Sequence, residues 1–240
     1  MKRTLPLAVT VALVPLHALA DEIEAFVTAN VMDILYHELG HAIIDTELLP
    51  VFGKEETAAD YFAAIMMHVM HSPKDARAHI LHVADGYAAN AEVEPHDDGS
   101  GMHDSYPERY FNTLCLLHGS APNRTRFLLR NDWLPEDRAE TCEEEYDLAF
   151  ESWTGVLDVL EGSETGHKLL FANDMGEPTL AQSVIAEQVV AINARFSFAQ
   201  DIVVRFEFCD EANAFYDPED VSIIFCAEFE DELYDLAPAP

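Results

Sequence analysis

The sequence predicts an α+β fold, mainly helical, with a small β-sheet contributed by the C-terminal segment. Two patterns predict it: apolar residues recur at three- and four-residue steps between 21 and 160, and short β-branched and aromatic runs appear only beyond 200. Size agrees, since 240 residues with 49% hydrophobic content can bury a sizeable core in one domain.

The first segment reads as an address. Met1-Lys2-Arg3 is basic, Leu5 to Leu16 is apolar apart from Thr10, and Ala18-Leu19-Ala20 has the small-x-small cleavage pattern. This is a secretory signal peptide cut after Ala20, which places the mature chain in the periplasm or outside the cell. A membrane anchor fits less well, because the run is short and carries Pro6, Pro15 and His17.

Residues 21–46 form the first predicted helix, with Ile23, Phe26, Val27, Val31, Ile34, Leu35, Ala42 and Ile43 on its stripe. Pro50 and Gly53 end it. A second helix covers about 55–71, stopped by Ser72-Pro73, and a third about 74–91. Residues 92–105 are polar, acidic and glycine-containing, hence a loop; helix resumes over 106–117 and from about 137 to 160. Glycine and proline mark 161–178 as a linker. Beyond it stand a helix (179–197), a strand (201–208), turn material (210–220) and a strand (221–229). Residues 21–240 are thus expected to be a single domain, its helical part at 21–160 and the 179–236 segment packed upon it.

Charge narrows the partners. Thirteen Lys and Arg against 45 Asp and Glu give a formal charge of −32, which repels phosphates, so neither nucleic acid nor an anionic membrane is expected as partner. The acidic runs Glu143–Glu145 and Glu228–Glu232 read as solvated faces. The four cysteines suit an oxidising compartment. Three pairings are open; Cys115–Cys142 with Cys209–Cys226 is favoured because each pair is close in sequence.

His37-Glu38-Leu39-Gly40-His41 carries the chemistry. On a helix, residues four apart share a face, so both imidazoles reach one metal ion, with Glu38 beside it as general base. A catalytic zinc takes three protein ligands and keeps one position for water. Glu56-Thr57-Ala58-Ala59-Asp60, fifteen residues beyond His41 on the next helix, supplies the third. Glu56 is the ligand, and Asp60, four residues on, orients a ligand histidine through a hydrogen bond. The expected cofactor is Zn2+ and the expected substrate a peptide or protein. A non-peptide amide is a further substrate option, and a binding or structural protein with a non-catalytic zinc site is the alternative.

These residues resemble the gluzincin metallopeptidases, which carry HExxH on one helix and ExxxD on the next. The chain is more closely similar to a bacterial family of exported metallopeptidases catalogued as a domain of unknown function. LYHELGHAIID, LPVFGKEETAADYFA, RYFNTLCLLHG and ANAFYDPEDVSIIFCAEF carry that likeness. In that family the NAFYDP…C segment precedes the HExxH helix, whereas here it follows, so the resemblance implies a circular permutation. His103, Arg109 and Asn112 resemble a further family motif, which makes His103 the candidate donor to the reaction's oxyanion; an ordinary loop histidine is the other reading, as it is for His96. His68, His71, His79 and His82 form two HxxH pairs without a recognised metal spacing. Asp97-Asp98-Gly99-Ser100 lacks the EF-hand spacing and reads as a solvated turn.

Overall fold

The computed structural model describes residues 16–95, 99–172 and 177–238. Most of the expected signal peptide, together with His96, Asp97 and Asp98, lies outside the described residues. The helices α1 (Leu16–Thr46), α2 (Glu55–Met70), α3 (Pro73–Val93), α4 (Tyr106–Ser120) and α8 (Cys142–Glu161), with the single turns α5 (Pro122–Thr125), α6 (Phe127–Arg130) and α7 (Glu136–Ala139), build the helical part. Then follow β1 (Leu169–Ala172), α9 (Leu180–Asn193), β2 (Ile202–Glu207), β3 (Ala214–Asp217), β4 (Ser222–Cys226) and α10 (Glu228–Leu236).

α1 is the axis of the molecule. Phe26, Val27, Val31, Met32, Leu35, Tyr36, Leu39 and Ile43 are all buried although they point in different directions around the helix. A helix that is apolar all round needs cover on every side. α2 and α3 supply part of it, and α9, β3, β4 and α10 supply the rest. α1 stops where Leu48 takes a left-handed conformation (φ 55) and the Leu49 amide closes onto the Ile44 carbonyl at 2.9 Å. The chain then turns back into α2. The two helices approach closely at Gly40, where an added Cβ would stand 3.2 Å from the Ala59 Cα and 3.1 Å from Phe62 Cδ1.

Local chemistry sets the later starts. Ser72 caps α3 ahead of Pro73, and Ser105 with Glu108 forms a capping box on α4. Thr179 and Gln182 do the same for α9. Cys115 of α4 is bonded to Cys142 at the start of α8, and Cys209 to Cys226, the pairing favoured from the sequence. The two disulfides are compatible with an exported protein, as is the finding that no helix among the described residues is long and apolar enough to cross a membrane.

The sheet departs from expectation in four ways. Residues 169–172, expected in a linker, form β1, parallel to β2. The turn expected over 210–220 contains β3. The two anticipated strands, β2 and β4, are parallel neighbours and not a hairpin; the hairpin is β3 with β4, and the strand order is β1-β2-β4-β3. The final strand stops at Cys226, and residues from Glu228 form α10. Its acidic run is solvated only in part: Asp231 and Glu232 are exposed, but Glu228 caps the Cys209 and Asp210 amides, and buried Glu230 accepts from the Thr179 hydroxyl and the Ala181 amide.

Candidate metal centre

His37 and His41 lie one turn apart on α1, and Glu56 faces them from the first turn of α2. Their donor atoms form a near-equilateral triangle: His37 Nε2 to His41 Nε2, His37 Nε2 to Glu56 Oε2 and His41 Nε2 to Glu56 Oε2 are each 3.2 Å. The other ring nitrogens are already engaged. His37 Nδ1 is 2.8 Å from Asp60 Oδ1, and His41 Nδ1 is 2.8 Å from Glu55 Oε1.

Asp60 is gripped by Arg109, whose Nε and Nη2 donate to its two oxygens at 2.8 and 2.6 Å. Burial opposes ionisation of Asp60, but Arg109 and His37 outweigh it and hold its pKa down to about 2. An ionised Asp60 can only accept, so in the neutral ring the His37 proton sits on Nδ1 and Nε2 presents a lone pair. Two imidazole lone pairs and a carboxylate oxygen therefore converge on one point, an arrangement that calls for positive charge. Burial disfavours the His37 imidazolium, yet hydrogen bonds to Asp60 and Glu56 prevail and raise its pKa to about 10. A divalent cation answers the same demand: in tetrahedral zinc with bonds near 2.05 Å the ligand atoms stand about 3.3 Å apart. The donors present fit such an ion.

His103 enters the same space from the α3–α4 loop. Its Nδ1 is 3.1 Å from Glu56 Oε2, and His37, Glu56 and His103 offer donor atoms all within 4.8 Å of one another. Lys54 fixes this loop by bonding the Gly99 and His103 carbonyls and the Asp104 carboxylate, each at 3.0 Å, and Thr57 donates to Asp104 at 2.8 Å. The HxxH histidines contribute no second group of this kind among the described residues.

Glu38, between the two histidines in sequence, faces β3. It is buried, which raises its pKa; His37 and His41 pull the other way, and the Tyr216 backbone amide bonds its carboxylate. That amide belongs to the free edge of the sheet. Cys226 donates to the Asn213 carbonyl, so in the β3–β4 ladder Ala214 and Tyr216 turn their backbone groups away from β4. The Tyr216 hydroxyl anchors this edge by donating to Asp45 of α1 at 2.8 Å.

A cleft runs between β3 and the two helices, with a larger lobe of about 1020 Å³ and a smaller one of about 490 Å³; Glu38, Met102, His103, Asn213 and Ala214 line both. Arg109, Lys54, Glu55 and β3 are the parts of this site to which sequence reasoning assigned no role. The signal available for Glu55 was its place beside Glu56 at the start of a helix.

A family model described as "Putative metallopeptidase", the domain family DUF4344, matches residues 15–157 and 172–238. Neither a curated protein nor a solved structure matches. The family implies a metal, and the His and Glu donors above are available to hold it.

Proposed function

The chain belongs to this metallopeptidase family, and on that footing we propose that it is an exported, zinc-dependent peptidase with Glu38 as general base. One observation carries the reading: the 3.2 Å triangle of donors on His37, His41 and Glu56, beside a buried carboxylate at the wall of an open cleft. Those residues would hold Zn2+, being the ligand types of catalytic zinc. The ion, when bound, polarises the scissile carbonyl and acidifies water.

The chain's own groups do the rest. Asp60, locked by Arg109, keeps the His37 ring in one tautomer and orientation. Glu38 takes the proton of the attacking water and hands it to the leaving amine, its burial helping it to bind that proton in between. His103 donates to the oxyanion that develops on the carbonyl. The outward carbonyls of Ala214 and Tyr216 on the edge strand would accept from an extended substrate laid beside it, their amides being held by Asn213 and Glu38.

A second reading, a periplasmic binding or structural protein with a non-catalytic zinc site, is favoured by the closeness of His103 to Glu56. With His103 as fourth ligand the site would be closed to water. Metal analysis with peptide hydrolysis separates the two. Under the peptidase reading, Glu38→Gln keeps its zinc and loses activity by roughly 100-fold or more. His41→Ala is isolated without metal, and His103→Phe keeps the metal while turnover falls on the order of 10- to 100-fold. Hydrolysis by Glu38→Gln at the wild-type rate overturns the assignment of the base, and zinc lost with His103 supports the closed site.

A further inference from the structure

The two lobes of the cleft differ in kind. The larger presents exposed apolar side chains, Leu48, Met102 and Phe215. The smaller has apolar walls at Ile34, Phe229 and Leu233 and five carboxylates; Glu38 and Asp104 are engaged by the Tyr216 amide and by Lys54 and Thr57, which leaves Asp33, Glu94 and Glu232. Asp33 is 8% exposed and lines this lobe. One of its oxygens accepts from the Tyr87 hydroxyl at 3.1 Å; the other has no protein partner among the described residues. Glu94 and Glu232, at the rim, are close enough for the charge of one to raise the pKa of the other, after burial.

The cations of this lining, Arg109 and His37, lower the Asp33 pKa by their charge but spend their hydrogen bonds on other carboxylates. Arg109 gives its hydrogen bonds to Asp60, and its guanidinium lies over the Tyr87 ring at 4.4 Å. Among the described residues neither Asp33, Glu94 nor Glu232 forms an ion pair.

Resting on the peptidase reading, we propose that the smaller lobe takes the Lys or Arg side chain of the substrate residue next to the scissile bond, with Asp33 at its end. The reach is right: Asp33 lies four residues before His37 on α1, about 6 Å along the helix, which the stem of a lysine spans. Ile34, Phe229 and Leu233 would pack that stem while its charged head meets the carboxylates. Burial and the neighbouring Asp60 hold the Asp33 carboxyl up at about 6, a penalty that a bound cation removes. A glutamate in the same place would meet like charge, and a leucine would leave the carboxylates unanswered.

The test is binding, so that turnover is not its only readout. Blocked peptides differing at one residue (Lys, Arg, norleucine or Glu) are titrated calorimetrically into zinc-loaded Glu38→Gln protein, and their hydrolysis by wild type is measured in parallel. The Lys and Arg peptides are expected to bind about tenfold more tightly than norleucine, with Glu weakest. Asp33→Asn should bring the Lys-to-norleucine ratio toward one. The double variant Glu94→Gln/Glu232→Gln, confined to exposed positions, should lower that ratio two- to threefold and serves where Asp33→Asn fails to fold. Norleucine bound as tightly as Lys overturns the proposal. So does a preference that follows a free N-terminal amine in place of the side chain. If no peptide binds or is cleaved, the peptidase reading fails first and takes this one with it; cleavage without a basic preference fails this one alone.

Discussion

Asp60 holds two partners at once, His37 at 2.8 Å and Arg109 at 2.6 and 2.8 Å. Its four-residue spacing from Glu56 announces that both face one way, so a bond from Asp60 to a histidine of the His37–His41 pair is legible in sequence. That Arg109 clamps it is not, because the partner comes from 49 residues away through a contact between α2 and α4. His68 makes the opposite case. Its HxxH pair matches no metal spacing, its Nε2 is buried without a hydrogen-bond partner among the described residues, and burial lowers its pKa to about 4. Unfolding restores a pKa near 6.5. The unfolded chain therefore binds the extra proton between those values, so stability falls as pH drops from about 6.5 toward 4. Denaturant midpoints measured over that range should decline in wild type and decline less in His68→Phe, by an amount on the order of 2 kcal/mol. Parallel slopes for the two proteins would clear His68 of the effect.

Helices long enough to show several turns of periodicity were legible as elements; β1, β3 and α10 were not. β3 has four residues between Asn213 and Pro218, too few for an alternation to stand out. In α10 the apolar spacing Phe229, Leu233, Leu236 was present but hidden among acidic residues that looked like a solvated surface. Packing against the rest of the fold, with Glu230 bonded to the start of α9, decided it. The meeting of α1 and α2 can be tested at Gly40. Alanine there gains about 1 kcal/mol of helix propensity. Its methyl, however, would press on Ala59, whose backbone lies in a buried helix and cannot swing aside. Gly40→Ala should keep its helical circular dichroism and bind zinc roughly tenfold more weakly, as expected when ligand-bearing supports shift. Unchanged affinity would mean that the close approach does not set the ligand distances.

Across the whole molecule the C-terminal segment completes what the first helix begins. Tyr36 of α1 donates to Gln188 of α9 at 2.6 Å, and Tyr216 to Asp45. We therefore propose that residues 161–236 are part of the same cooperative unit as the metal site. A chain of 21–161 should lack a sharp thermal transition and bind zinc poorly; a truncated chain that melts cooperatively with full zinc affinity would make the rest an appendage. The permutation implied by the family's order is physically accessible, since Tyr234 near the end of α10 feels the charge of Glu24 near the start of α1.

The bond from Tyr216 to Asp45 joins residues 171 positions apart. Pairings so distant form late, because the loop between them must close first. During synthesis the histidines emerge early and the strand that walls their cleft emerges near the end, so an unfinished chain carries the ligands without the groove that would lay a substrate across them. Under the proposed peptidase reading, the order in which the parts are made leaves every incomplete copy without the wall of its cleft.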